Sequence, residues 1–371
     1  MTQTDRFSPL RRRLEQLTNQ GLRRTLSPLD MTGPTTGRDS GGRRLHIFSS
    51  NDYLGLAHHP EVMAAWSQGQ GCGSARLITG DRPAHHALEA ALEGLFGRPA
   101  TLFSSGWHAN LALLSTLLEP GDSVASDALN HASIIDGIRL SRALKQILPH
   151  GDFDCEEGTR LLVQEGIYSM DGDILDLKGA RQSTERAGAW WMVDEAHSVG
   201  VLGPSGRGAA AAAGQTPDFL VGTLGKAFGS FGAFVIGPPE LRELLISRGR
   251  SFIFTTGLPE PAARAALVGL TLASDEQREL LAGRTRRLRS GLASRGIRSL
   301  GDHHIVPIVL GSRTMEVSDR LRERGFLVPG IRPPTVPAGS ERLRVTLSAA
   351  HTDEQIDGLI DALDQAIRAQ A

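Results

Sequence analysis

Asp-Phe-Leu-Val-Gly-Thr-Leu-Gly-Lys-Ala-Phe-Gly-Ser-Phe-Gly, residues 218–232, is the stretch whose reading decides the fold. The apolar run Phe219–Thr223 predicts a buried strand, and the glycines behind it predict a turn. A second apolar run, Gly232–Ile236, follows at once. The same pattern recurs upstream. Thr101–Phe103, Ser123–Ala125, Leu161–Val163 and Trp190–Asp194 read as strands, and Ala84–Phe96, His108–Leu118 and Ala132–Leu144 as helices between them. Such alternation predicts an α/β fold built on a largely parallel sheet. In these sheets ligands bind beyond the carboxyl ends of the strands, which is where polar residues matter most.

Downstream the pattern changes. A helix-rich stretch, Pro259–Ala293, leads to a strand at Ile305–Leu310, a helix at Met315–Arg324 and a Pro-rich turn at Ile331–Pro337. A strand at Arg342–Leu347 and a helix at Asp353–Arg368 complete it. The expected division is a large domain over 51–280, a smaller α+β domain over 281–371, and an N-terminal segment, 1–50, packing with the smaller one.

Composition excludes several function classes. The chain has 371 residues, 40% of them hydrophobic, and a formal net charge of −1. That gives no electrostatic reason to expect nucleic acid or an anionic membrane as partner. No run of about eighteen apolar residues suggests a membrane span, and the N-terminus has no apolar signal core, so a cytoplasmic protein is expected. Cys72 and Cys155 are the only cysteines; their spacing indicates neither a metal site nor a disulfide framework. Among 40 basic residues only Lys145, Lys178 and Lys226 are lysines, so chemistry that needs a primary amine has three candidates.

Three segments place reactive groups at strand ends. In Trp-Trp-Met-Val-Asp-Glu-Ala-His (190–197), Asp194 closes a strand and His197 follows in the loop. Alone, this also reads as an Asp capping a turn beside a solvated His. The Asp-Glu-Ala-His string matches an ATPase box, but the phosphate loop is missing: around Gly225-Lys226, Leu220 replaces the first glycine and Ala227 the hydroxyl residue. Lys226 itself sits in a Gly-rich turn that lets a bulky ligand approach the backbone. A lysine in a partly dry site loses its proton more readily and becomes a nucleophile for carbonyl compounds, pyridoxal phosphate (PLP) included. A surface lysine in a mobile turn is the plainer alternative. In Phe-Ser-Ser-Gly-Trp-His-Ala-Asn (103–110) a strand turns into a helix, whose free N–H groups suit a phosphate or merely carry a serine cap. PLP needs a phosphate cradle, a carboxylate at its ring nitrogen, a lysine and a stacking group. The three segments together supply such a set.

The ordered motifs Ser-Asn-Asp-Tyr-Leu-Gly-Leu (50–56), Leu-Asn-His-Ala-Ser (129–133), Tyr-Ser-Met-Asp-Gly-Asp (168–173), Val-Asp-Glu-Ala-His (193–197), Thr-Leu-Gly-Lys-Ala-Phe-Gly (223–229) and Ile-Arg-Pro-Pro-Thr-Val-Pro-Ala-Gly (331–339) resemble the α-oxoamine synthases. These are fold-type I PLP enzymes that join an amino acid to an acyl thioester. The resemblance runs from about Phe48 to His351. It implies a large domain with a mostly parallel seven-stranded sheet, a smaller α+β domain, and a homodimer with shared active sites. The closing motif is most similar to the alanine-using subgroup of biotin biosynthesis, which implies L-alanine and pimeloyl-CoA or pimeloyl-acyl carrier protein as substrates. A glycine- or serine-using relative, or a non-catalytic protein on the same fold, are the alternatives. By resemblance, Lys226 carries the Schiff base and Asp194 pairs with the pyridine nitrogen. His197 lies by the 3-oxygen and His131 stacks on the ring. Gly106, Trp107 and Thr223 hold the phosphate, with Thr256 reaching it from the neighbouring subunit, and Ser169 bonds near the polar edge. Asn51 and Arg332 hold the amino-acid carboxylate, and Arg23 and Thr335 touch the acyl substrate, with Arg24 an alternative to Arg23. No metal is implied.

Overall fold

The computed structural model describes residues 6–369. Seven strands form the main sheet, in the order Ala100–Phe103, Ala233–Ile236, Phe219–Thr223, Trp190–Asp194, Thr159–Glu165, Ser123–Asp127 and Leu144–Leu148. Only Ala233–Ile236 runs antiparallel to its neighbours. The inner strands are almost wholly buried, so they read as continuous apolar runs rather than as alternation. Helices cover both faces. Phe103, Leu113, Ile134, Val163 and Val221 share one apolar cluster, and Leu88, Leu102, Leu220 and Phe234 share another.

One element departs from the sequence reading. The helix expected over 132–144 ends at Ser141. Arg142 takes a left-handed conformation with φ 63°, the Ser141 hydroxyl accepts from Ala143 N, and the chain enters the edge strand Leu144–Leu148. That strand is half exposed and carries Lys145 and Gln146, which blunts an open edge but also hides its strand character from a hydrophobicity pattern.

Two smaller sheets flank the large one. Leu29–Gly33, Thr36–Asp39 and Arg44–Ile47 form an antiparallel run, and Phe326–Leu327 adds in parallel to the last of them. Ile305–Val309, Arg342–Thr346 and Gly330–Ile331 form the other. Phe48, Tyr53 and Leu54 share a core with Leu288, Val306, Leu343, Ile356 and Leu363. The 48–56 segment is thus packed on the C-terminal elements while its turn reaches the main sheet. Gly229, at φ 63°, makes that approach possible: a Cβ there would overlap the backbone of Leu56 and Ala57.

Candidate active site

The carboxyl ends of the parallel strands deliver Ser104, Asp127, Glu165, Asp194 and Thr223 to one edge. Lys226 stands in the turn after Thr223, and its Nζ lies 2.9 Å from His197 Nε2. His197 Nδ1 lies 2.6 Å from the Tyr53 hydroxyl, which donates to Asn51 Oδ1 at 3.0 Å. Arg344 Nη1 donates to the same oxygen at 3.4 Å. The Tyr53–Asn51 bond favours one assignment of protons along this chain. The Tyr53 proton is spent on Asn51, so His197 Nδ1–H donates to Tyr53, and Nε2 is left to accept from Lys226. Burial, then the positive charge of Lys226, hold the His197 imidazole well below its usual range, which keeps it neutral as this pattern requires. Burial also pushes the Tyr53 phenol up to about 12. Burial lowers the Lys226 ammonium to about 8 against the pull of Asp194 and Glu165. The lysine is therefore close to its deprotonated, nucleophilic form at neutral pH.

Asp194 is fixed from two sides: Asn110 Nδ2 donates to Oδ2 at 2.8 Å, and Ala196 N donates to Oδ1 at 3.0 Å. Asn110 also donates to the Ser133 hydroxyl, 2.9 Å away, and that hydroxyl meets His131 Nδ1 at 2.7 Å. His131 begins the helix Ala132–Ser141, and its backbone N–H donates to Glu165 Oε1 at 2.6 Å. Burial, then neighbouring Asp194, raise the Glu165 carboxyl well above the usual range, while burial lowers the His131 imidazole. The helix Gly106–Leu117 starts beside this cluster. Ser105 caps it by accepting from His108 N, and the rings of Trp107 and His131 meet edge-on with centroids 6.0 Å apart. Gly106 has open space where a Cβ would stand, so a ligand can approach its backbone N–H.

The remaining expected residues fall into further groups. Arg332 Nη2 donates to Arg23 O at 3.2 Å, and Arg24 Nη2 donates to the Thr335 hydroxyl at 3.3 Å. Of the two adjacent arginines, Arg24 has the side chain on Thr335. Thr256 borders a narrow cleft with Ser104 and Arg76, next to the phosphate-type helix start. The Thr223 hydroxyl lies between Gly232 O and Gly225 N, at 3.1 and 3.2 Å. Ser169 is anchored through its carbonyl, which accepts from Arg344 Nε at 2.5 Å.

Sequence reasoning passed over Tyr53, Asn110, Glu165 and Arg344. Arg344 had a signal: Arg342 and Arg344 lie in an otherwise apolar run, and both are buried, a position that charges take only with partners. Tyr53 lies within the 50–56 motif, of which only Asn51 has a role by resemblance. Asn110 and Glu165 carried no local signal, because their partners are 84 and 34 residues away.

The donor set fits PLP: a lysine amine poised near deprotonation, a carboxylate pinned at a strand end, neutral imidazoles, and a helix N-terminus with clear access at Gly106. Among the described residues no His/Cys/Asp/Glu group suits a metal ion, and no helix is long and apolar enough to cross a membrane. The chain belongs to the aminotransferase class I and II family, whose profile matches residues 44–363, and it has the fold-type I architecture with PLP as cofactor. Within that class its curated relatives are narrower. It is 48% identical to the 8-amino-7-oxononanoate synthase of Methylococcus capsulatus over 87% of this chain and 89% of that one. It is 46% identical to that of Anaeromyxobacter sp. strain K over 94% and 93%. Among solved structures it is similar to serine palmitoyltransferase from S. paucimobilis, solved with bound PLP–myriocin, with a TM-score of 0.90, 31% identity, and coverage of 99% and 98%. It is also similar to 8-amino-7-oxononanoate synthase from Francisella tularensis, with a TM-score of 0.75, 30% identity, and coverage of 86% and 97%.

Proposed function

We propose that this chain condenses L-alanine with a pimeloyl thioester, on CoA or acyl carrier protein, to give 8-amino-7-oxononanoate, CO2 and the free thiol, the reaction in biotin biosynthesis after which its curated relatives are named. The observation that carries this reading is the Lys226 amine, lowered to about 8 and held 2.9 Å from a neutral His197. PLP, when bound, supplies the electron sink for the pair left at the amino acid's Cα. Asp194, pinned by Asn110 and Ala196, holds a proton on the cofactor's ring nitrogen. Gly106, Trp107 and Thr223 bind the phosphate, and His131 packs on the ring. Arg332 and Asn51 grip the alanine carboxylate, the arginine through its planar fork. Lys226 takes the Cα proton at Nζ; its modest basicity lets it accept that proton and return it. Neutral His131 offers a hydrogen bond to the thioester oxygen, and Thr335 holds the acyl group together with Arg23 or with Arg24, whose side chain lies on it.

The working form in this proposal is a homodimer, with Thr256 reaching the partner's phosphate. Support comes from Ile78 and Phe254, 76% and 72% exposed in the single chain and each within two residues in sequence of a residue that lines the Thr256 cleft. Apolar side chains so exposed favour an interface. Mass identification of the product from L-alanine and pimeloyl-CoA tests the reaction. The likeness to serine palmitoyltransferase favours a second reading, serine with a long-chain acyl-CoA. Product from that pair, and none from alanine, would replace the proposal.

A further inference from the structure

His150 lies outside every group described above, yet it touches two of the turns that build the site. Its Nδ1 lies 3.0 and 3.1 Å from the two oxygens of Asp127, and its Nε2 lies 2.9 Å from Asp173 Oδ2. The Tyr168 ring packs edge-on against the imidazole, with centroids 4.6 Å apart. We infer that His150 is a positioning residue for the proposed reaction: as an imidazolium between Asp127 and Asp173, it clamps the turn that presents His131 to the turn that presents Ser169.

Each jaw leads directly into the site. Asp127 is fully buried as a side chain, and it shapes the first turn by accepting Leu129 N at 2.7 Å and Gly151 N at 3.2 Å. Asn130 then ties that turn to Val163 O, and His131 N reaches Glu165. In the second turn Tyr168 N donates to Asp173 O, and Gly172 N donates to Tyr168 O. Arg344 holds the Ser169 carbonyl and Arg342 holds Asp171, each at 2.5 Å, so this jaw is also the seat of the C-terminal strand.

The chemistry of the bridge demands a proton on both nitrogens. A neutral imidazole has one N–H and satisfies one carboxylate only, leaving a lone pair facing the other. The groups facing the ring are Asp127 from the strand end and Asp173 with Tyr168 from the second turn; Glu165 stands behind Tyr168. The hydrogen bonds to Asp127 and then Asp173 push the imidazole up to about 10. The clamp is therefore closed across the physiological range and acts as a fixed strut.

This inference rests on the proposed reaction for its effect on rate, but not for its existence, so two arms test it separately. In the first, the histidine ring protons of the cofactor-free protein are titrated by NMR, with the His150 signal assigned by its loss in His150→Gln. The expected midpoint is above about pH 9 in the wild type, and in Asp173→Asn it falls to roughly 8, since Asp127 alone still holds it above the ordinary histidine value of about 6.5. An ordinary midpoint in the wild type overturns the clamp whatever the enzyme makes. In the second arm, holoenzyme kinetics are measured with alanine and pimeloyl-CoA. For His150→Gln we expect a ~10–100-fold loss in kcat/KM, the scale of a small misplacement of reacting groups. The visible circular dichroism of the cofactor should change, and the unfolding midpoint should fall while the protein stays folded at the assay temperature. For Asp173→Asn we expect near-normal rates at about pH 6.5 and a new loss between about pH 7 and 9 as the ring deprotonates. Unchanged kinetics in His150→Gln, a loss matched by the unfolded fraction, or a wild-type pH profile in Asp173→Asn would each refute the positioning role. Absence of product in the wild type would count against the proposed reaction alone.

Discussion

Replacing Lys226 by Met should stabilise the cofactor-free protein at neutral pH while destroying its activity. The free Lys226 ammonium falls from 10.5 to about 8 in the folded chain, chiefly through burial. A lowered lysine means that the unfolded chain binds more protons than the folded one between those two values. Stability therefore rises with pH across that window, and the penalty is fully present below about pH 8 and absent above about 10.5. A difference of about 2.5 pH units corresponds to roughly 3 kcal/mol. Methionine has similar length and no charge, so it escapes this penalty at every pH. Denaturant midpoints of the two cofactor-free proteins, at equal concentration, should differ in favour of Lys226→Met at pH 7, and the gap should shrink by roughly 3 kcal/mol by pH 10.5. Groups that do not feel the Lys226 charge titrate alike in both proteins and cancel. A pH-independent gap, or a variant less stable than the wild type at pH 7, would refute the claim that the amine is held against its proton. With PLP present, the same variant should lose turnover and the borohydride-reducible link; sustained multiple turnover would remove Lys226 from its role.

Three further outcomes are expected. Tyr53→Phe strips the partner from His197 Nδ1–H and should cost about 1–3 kcal/mol in unfolding experiments, the penalty of a buried unpaired donor; an unchanged midpoint contradicts the proton assignment along Lys226–His197–Tyr53–Asn51. Arg332→Lys should raise the KM for alanine about tenfold with a smaller change for the thioester, since an ammonium cannot make the two-point contact, and equal alanine kinetics would show the carboxylate is held elsewhere. Gly269→Ala should destabilise by about 1–3 kcal/mol or more, because its Cβ would overlap the carbonyl oxygen of Phe228, two residues from Lys226; a neutral effect on the melting midpoint would mean that this helix yields easily.

The strands at Trp190–Asp194 and Phe219–Thr223 were legible to the residue, because a buried strand is a short unbroken apolar run and glycines mark its end. So was the helix Asp353–Arg368, with a Thr352 capping box at its start. The edge strand Leu144–Leu148 was not. Its exposed positions mix Leu144 and Ile147 with Lys145, so burial follows no alternation, and only the ladder with Ser123–Asp127 makes it a strand.

Lys226, Asp194, His197 and His131 were nameable from sequence because each lies in a local motif at a strand or helix end. The chain Lys226–His197–Tyr53–Asn51–Arg344 was not, since it joins positions 51 and 344 across 293 residues. Local pattern sufficed for the fold class, because backbone hydrogen bonding and burial act over a few residues; it offered the candidate side chains, and the family resemblance supplied the roles proposed for them. Which proton sits on which nitrogen, how far the lysine amine is lowered, and that His150 lies between two carboxylates were decided only by tertiary structure. Desolvation and Coulomb interaction depend on distance in space, and separation along the chain does not set that distance.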